Sequence, residues 1–452
     1  MKCEPPAPKH PFAGRRTTVF GLGRLGGGEG AIRYLAGCGA RVTVTDSARA
    51  ADLAASIAAL AQVPISRWRF GGHESRDFTE ADFVLVNPAV RLDHPLVAAA
   101  RAVGSRVTCE LELLLRFRPC RLAAVSGTIG KSTTAAMLAE VLRAAGERVW
   151  LGGNLGVSLL PHLPRMQPTD WAVVELSSFQ LAWLAATRPA PGLQDPPIRP
   201  IEVVVLTGLA PHHLAWHGSL EAYAAAKQLL LELQEPDGIV VLPPGDACPS
   251  PWRVAARGRV FEPRSPADIP PLAIPGEHVR ANAAIAAAAA AAIGCDEAAI
   301  SAGLARFPGL PHRLEPISGR GNLHYVNDSM ATTPLSTAAA LAALPGPLWL
   351  LAGGFDAGED FSPLAAAIHS GVRGAALFGQ AAARMGEEVR KQRSRLPLHE
   401  CGSLSEAFAW CRERAEPGDT LLLSPGCASH DQYANYAERA AAFARLAAGL
   451  RW

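Results

Sequence analysis

The stretch from Gly127 to Thr133 reads Gly-Thr-Ile-Gly-Lys-Ser-Thr, with an apolar run before it and a helical pattern after it. Glycines let a backbone curl so that its amides and the helix N-terminus face an anion. A lysine in that place opposes the β- and γ-phosphate charge, and the Ser132 hydroxyl can ligate magnesium. The general phosphate loop also needs a glycine where this chain has Val125, so only its second half is present. The strand and helix patterns on either side favour nucleotide binding over a chance match, with Gly127, Thr128, Gly130, Lys131, Ser132 and Thr133 around the phosphates.

Other residues could complete such a site. Glu175 ends the apolar run "WAVVE", where a carboxylate at the edge of a parallel sheet meets a phosphate-bound metal. His213 lies in "HHLAWHGSLEAYAAAK", fourteen residues before Lys227. A lone histidine is more often structural and a helical lysine is usually solvated; the phosphate loop raises the weight of both. Near the N-terminus, Gly21, Gly23 and Gly26 form GxGxxG between a strand and a helix, and Asp46 ends the next strand. That pattern suits a dinucleotide or a UDP-type diphosphate equally. Asp328 follows a further strand, and capping by Ser329 or Thr333 ahead of Pro334 explains much of its surroundings. There is no GxSxG elbow, which excludes a serine-hydrolase reading.

These groups need scaffolds. The chain has 452 residues, enough for two to four domains, and three is the working number. Alternating apolar strands and helical stretches make the fold class α/β. A Rossmann-like N-terminal domain is expected over 1–118, a central P-loop-type ATPase domain with a parallel sheet over 119–306, and a doubly wound C-terminal domain over 307–452. "SRVTCELEL" (Ser105–Leu113) reads as a strand, and the alanine-rich run from Ala281 to Gly294 as a buried helix too short to span a bilayer. A net charge of +2 with no basic block argues against nucleic acid and membrane partners. Nine scattered cysteines, never spaced CxxC, indicate reduced thiols in a cytoplasm. The first sixteen residues, polar and proline-rich, read as a loose leader rather than a signal peptide.

Taken together, "ELSSFQL" from Glu175, "GGNLG" from Gly152, "HGSLEAYAAAK" from His217, "GLPHRLE" from Gly309 and the block from Leu421 to Phe443 resemble the Mur ligases, cytoplasmic enzymes that build the peptidoglycan stem peptide. Within that family the resemblance is to the glutamate-adding branch and runs over nearly the whole chain. It implies an N-terminal domain for a UDP-sugar, a central ATPase and a closing C-terminal domain. The substrates would be UDP-N-acetylmuramoyl-L-alanine, D-glutamate and ATP with Mg2+, joined through an acyl phosphate by a monomer. It further implies that Lys131, His213 and Lys227 are catalytic and that Asn282 and Arg313 face the nucleotide, with Asp328 at its ribose. Asn154 would lie on the sugar side, and Thr332, Ser429 and Tyr436 would meet the amino acid. Ser132 and Glu175 would hold one magnesium, and Glu175, His213 and a carbamylated Lys227 a second.

The chain departs from the family pattern at two places. Ile129 replaces the asparagine of the loop, His212 an aspartate before the metal-binding histidine, and Val279 the asparagine after His278. In the last domain Met330 and Ala357 stand where lysines are usual, leaving Arg320 or His430 as substitutes. Losing a charge-assisted bond to a carboxylate costs roughly 1.5–3 kcal/mol. Two alternatives to glutamate ligation follow: a Mur-ligase homologue with another amino-acid specificity, and a nucleotide-binding relic that no longer ligates. An NAD oxidoreductase built on GxGxxG explains neither the second glycine loop nor "ELSSFQL".

Overall fold

Three sheets organise the chain, whose computed structural model describes residues 10–23, 27–187 and 196–449. The first consists of β1 (Arg16–Phe20), β2 (Arg41–Asp46), β3 (Ile65–Phe70), β4 (Phe83–Val86) and β5 (Arg106–Cys109), ordered β3-β2-β1-β4-β5. All its pairings are parallel. The order reverses between β1 and β4, which opens a crevice at their C-terminal ends. Gly21 and Gly23 follow β1 there and Asn87 follows β4.

The second sheet holds β6 (Arg121–Ser126), β7 (Val149–Gly153), β8 (Trp171–Glu175), β9 (Ile201–Leu206), β10 (Gln234–Val241) and β11 (Arg259–Phe261), in the order β11-β10-β9-β6-β8-β7. It is also wholly parallel. Strands β6, β8 and β9 are buried almost end to end, as continuous apolar runs require when helices cover both faces. Because β6 lies between β9 and β8, the loop after it meets the ends of both neighbours.

The third sheet holds β12 (Glu315–Ile317), β13 (His324–Asn327), β14 (Leu348–Gly353), β15 (Val372–Phe378), β16 (Leu398–Cys401) and β17 (Thr420–Leu423), ordered β12-β13-β17-β14-β15-β16. It is parallel except for β12, which runs antiparallel to β13 at the edge. The doubly wound expectation therefore gains one antiparallel edge strand. Contacts gather the chain into two compact units, Met1–Ile269 with Asn282–Leu304, and Pro270–Ala281 with Ala305–Trp452. The first unit contains the first two sheets, and one apolar cluster includes residues of both. Within it the helix Ser178–Thr187 joins the sheets, its Trp183 indole donating to the Val90 carbonyl at 2.8 Å.

One strand expectation is corrected. In Ser105–Leu113 the strand stops at Cys109 and a helix runs over Glu110–Phe117. The Glu-Leu alternation fits either period, and buried Glu112 decides it. Its carboxylate accepts from Arg116 Nε one helical turn on, at 2.8 Å, and from the Thr108 hydroxyl at 2.8 Å. The alanine-rich run is helical, within Glu277–Ile293. No helix among the described residues is long and apolar enough to cross a membrane.

Candidate active site

The phosphate loop leaves β6 at Ser126, whose hydroxyl donates to the Leu176 carbonyl at 2.8 Å and so pins the end of β6 to β8. Gly127 (φ 140°) and Gly130 (φ 86°) both take left-handed backbone. A side chain on Gly127 would collide with the Thr207 hydroxyl, and one on Gly130 with the Asn282 amide. Asn282, a candidate for the nucleotide, therefore lies against the loop. Thr128 is held by its N–H to Gly208 O at 2.8 Å, and its hydroxyl accepts from the Tyr223 phenol at 3.2 Å. The helix Lys131–Ala144 begins directly after, with Ser132 buried in its first turn and Lys131 Nζ donating to Thr128 O at 2.8 Å. The Ile129 side chain remains 48% exposed although its carbonyl accepts from Thr207 at 2.6 Å.

Lys227 meets this loop from the helix Leu220–Glu232. It is 1% exposed, and its Nζ donates to the Gly127 carbonyl at 2.6 Å. The ammonium also lies 4.6 Å from the centre of the Tyr223 ring, one helical turn earlier. Burial, then the Lys131 charge, hold this amine well below the ordinary lysine range, against the pull of Glu175. Glu175 closes β8 at 1% exposure; its Oε1 accepts from Asn154 Nδ2 at 2.8 Å, while Oε2 is buried without a hydrogen-bond partner. An orphaned, buried carboxylate oxygen suits a hard cation, which takes oxygen ligands. Among the described residues no three His, Cys, Asp or Glu side chains converge as a metal site. A magnesium ion here would complete its shell with hydroxyl and phosphate oxygens.

His213 takes a left-handed backbone (φ 55°) at the start of the short helix Leu214–His217, its ring 4.7 Å from Phe179 and 3.7 Å from His212. Burial pushes the His213 imidazole down to about 3, helped by His212, Lys131, Lys227 and His217; burial takes His212 to about 4. A neutral imidazole is the form that binds metal. His217 Nε2 and the Ser178 hydroxyl are 2.9 Å apart, and His217 stacks on Phe179. Sequence reasoning passed over Thr207, Phe179 and Tyr223; only Tyr223 left a signal, the i,i+4 spacing to Lys227.

In the first sheet, Gly21, Gly23 and Asp46 line a cavity of about 550 Å3 together with His73, Asn87 and His94. Asp46 accepts from Gly23 N–H at 3.1 Å and from Ala48 N–H at 2.8 Å, which fixes the glycine turn. Gly26, the third glycine of the pattern, lies outside the described residues. Asn154 is not among these groups, being bound to Glu175 at the other sheet. The two histidines were missed, since each reads alone as an ordinary loop residue.

In the second compact unit, Asp328 follows β13 and is 6% exposed. Its Oδ1 accepts from Leu314 N–H at 3.2 Å and its Oδ2 from the Ser424 hydroxyl at 2.7 Å. Burial raises this carboxyl to about 6, against the two hydrogen bonds and the charge of Arg313. Arg313 sits between His312 (φ 62°) and Leu314 (φ 43°). With His213, these are the only non-glycine residues of left-handed backbone among those described, so strain concentrates beside candidate groups. The loops carrying Thr332, Ser429 and Tyr436 are stitched together: Gly426 N–H donates to Ala331 O at 2.9 Å, and the Ser329 hydroxyl to Tyr436 O at 2.8 Å. Arg320 is not there. It precedes β13 and packs on Gly449 beyond the last helix, at the opposite edge of the sheet.

Comparisons with known proteins agree along the chain. Residues 15–109 match the Mur ligase MurD-like N-terminal domain, 125–262 the Mur ligase middle domain and 312–427 the Mur ligase glutamate ligase domain. The UDP-N-acetylmuramoylalanine–D-glutamate ligase of Anaeromyxobacter dehalogenans is 36% identical over 96% of this chain and 97% of its own. The ligase of the same name from Symbiobacterium thermophilum is 31% identical over 96% and 98%. In fold, the UDP-N-acetylmuramate–alanine ligase of Thermotoga maritima aligns over 96% of this chain and 99% of its own, with a TM-score of 0.65 at 18% identity. With a half phosphate loop closed by Lys227 and Glu175, three matching domains in order and full-length relatives, the chain belongs to the Mur ligase family of ATP-dependent, amide-forming ligases.

Proposed function

We propose that the chain joins D-glutamate to UDP-N-acetylmuramoyl-L-alanine, as a cytoplasmic monomer. The observation that carries this reading is that Lys131 and Lys227 both donate to one phosphate loop while Glu175 ends the strand paired with the one before it, in a chain whose full-length relatives bear that ligase's name. The loop amides and Lys131 hold the ATP phosphates, with Asn282 packed against the turn. The alanyl carboxylate of the sugar substrate attacks the γ-phosphorus and ADP leaves, producing an acyl phosphate. The glutamate amine then attacks the acyl carbon, loses its proton and expels phosphate, forming the amide. Ser132 and Glu175 would hold one magnesium ion and Glu175, His213 and a carbamylated Lys227 a second, which would neutralise charge at the phosphates. Neutral His213 and the buried Lys227 amine favour that arrangement, because a bare ammonium would repel the ion. Asp328 and Arg313 serve the nucleotide, the cavity at Gly21, Gly23 and Asp46 takes the UDP moiety, and Thr332, Ser429 and Tyr436 line the amino-acid side.

Met330 and Ala357, at positions where the family usually has lysine, favour a second reading in which another amino acid is the nucleophile. Phosphate release from ATP, measured with UDP-N-acetylmuramoyl-L-alanine against a panel of D- and L-amino acids, tests both. Release that needs the sugar nucleotide and D-glutamate together is the expected result. Turnover with a different amino acid supports the second reading, and ATP turnover indifferent to both substrates defeats ligation.

A further inference from the structure

A dicarboxylic amino acid needs a cation, and the C-terminal edge of the third sheet is where its ligand would sit. In the loops and first helical turns that follow β13 to β17, the described cationic side chains are Arg384, Arg439 and His430. Arg439 is fully buried and already engaged. Its guanidinium donates to the Ser329 hydroxyl at 3.1 Å and to the carbonyls of Ser329, Cys427 and Ala428 at 2.9, 3.1 and 3.3 Å. It ties loops together and has no face left for a substrate. His430 is exposed in the turn after Ser429.

Arg384 differs from both. It projects from the first turn of the helix Ala382–Gln392, and its side chain is 48% exposed. It reaches the loop after β14, where Nη1 donates to Asp356 and Nη2 to Glu359 O at 3.0 Å, with Phe361 5.3 Å beneath the guanidinium. This is the loop of Ala357, and it is joined to the Ser429 segment by Phe355 N–H to Ala428 O at 2.9 Å. The start of the Arg384 helix is stitched to the same place, by Ala381 N–H to Gly354 O at 2.9 Å and Gln380 N–H to Asp431 at 3.3 Å. Asp431 and Asp356 both engage this place, through Gln380 N–H and the Arg384 guanidinium, so a dicarboxylate arriving here meets two carboxylates and one guanidinium. A guanidinium has five N–H donors, and the two bonds to Asp356 and Glu359 leave others for a ligand.

The geometry points to Arg384 as the specificity residue for the amino-acid substrate, its guanidinium receiving the distal carboxylate in competition with Asp356; this rests on the glutamate reading above. The test uses the full chain, with KM for D-glutamate, ATP and the sugar nucleotide measured separately. Arg384→Met raises the glutamate KM about ten- to hundredfold, leaves the other two within about twofold, and levels the preference for glutamate over glutamine. Arg384→Lys restores part of the loss. Asp356→Asn separates contact from mere loop support. Freeing the guanidinium lowers the glutamate KM if Arg384 binds the substrate, and raises it as Arg384→Met does if Arg384 only clamps the loop, which would overturn the assignment. An unchanged glutamate KM in Arg384→Met overturns it as well. A wild-type chain that ligates no acidic amino acid defeats the glutamate reading itself, and this assignment with it; glutamate turnover indifferent to Arg384 defeats only the latter.

Discussion

Replacing Asp328 by Asn should make the protein more stable at neutral pH and less active. The carboxyl is 6% exposed and raised to about 6 from an ordinary 3.8. Between those values the folded state holds a proton that the unfolded state has released. Stability therefore falls as pH rises from 3.8 to about 6, and the whole penalty stands above that. The gap corresponds to about 3 kcal/mol at pH 7.5. Asparagine removes the charge and keeps the geometry. Its Oδ1 still accepts from Leu314 N–H, and its amide can donate to Ser424, whose hydroxyl turns to Thr337 Oγ1 at 3.1 Å. Urea denaturation of the full chain from pH 4 to pH 8, with amide exchange followed on β13 and β17, should show a gain of about 1–3 kcal/mol at pH 7.5. That gain should shrink towards zero near pH 4, where aspartate is protonated in the fold. Ligase turnover should drop, because the carboxylate is proposed for the ribose. A variant no more stable at pH 7.5, or a difference that does not vary with pH, refutes the reasoning.

Gly130→Ala forces a side chain at φ 86° into the Asn282 amide; the strain of about 1–2 kcal/mol and the displaced loop should raise the ATP KM at least about tenfold, and an unchanged KM argues that ATP does not lie on this turn. Lys227→Met should abolish turnover. Wild-type turnover should fall in carbonate-free buffer and return with bicarbonate, because a buried amine held below the ordinary lysine range can add carbon dioxide and release a proton. A rate indifferent to bicarbonate removes the carbamate while leaving the lysine's position intact.

Central strands were legible, and of the edge strands only β5 was. Strands β6, β8, β9, β14 and β17 announce themselves as unbroken apolar runs because helices bury both of their faces. Strands β3, β7, β12 and β16 lie at sheet edges and carry half-exposed, mixed sequences such as Ile-Ser-Arg-Trp-Arg-Phe, so no periodicity marks them. The same limit hid the helix at Glu110, whose Glu-Leu alternation suits two periods until Arg116 and Thr108 meet Glu112.

The residue types and their order determined the half phosphate loop, the α/β class and the family. The loop depends on local spacing, because glycines between a strand and a helix leave backbone amides and the helix N-terminus facing an anion. Tertiary structure alone decided that Lys227 is buried against the Gly127 carbonyl, that Glu175 keeps an orphaned oxygen, and that Arg320 lies at the wrong edge while Arg384 faces Asp356. Each of these follows from which strand ends the sheet order brings side by side. Burial and charge pairing depend on neighbours far apart in the chain, and no spacing within it specifies them.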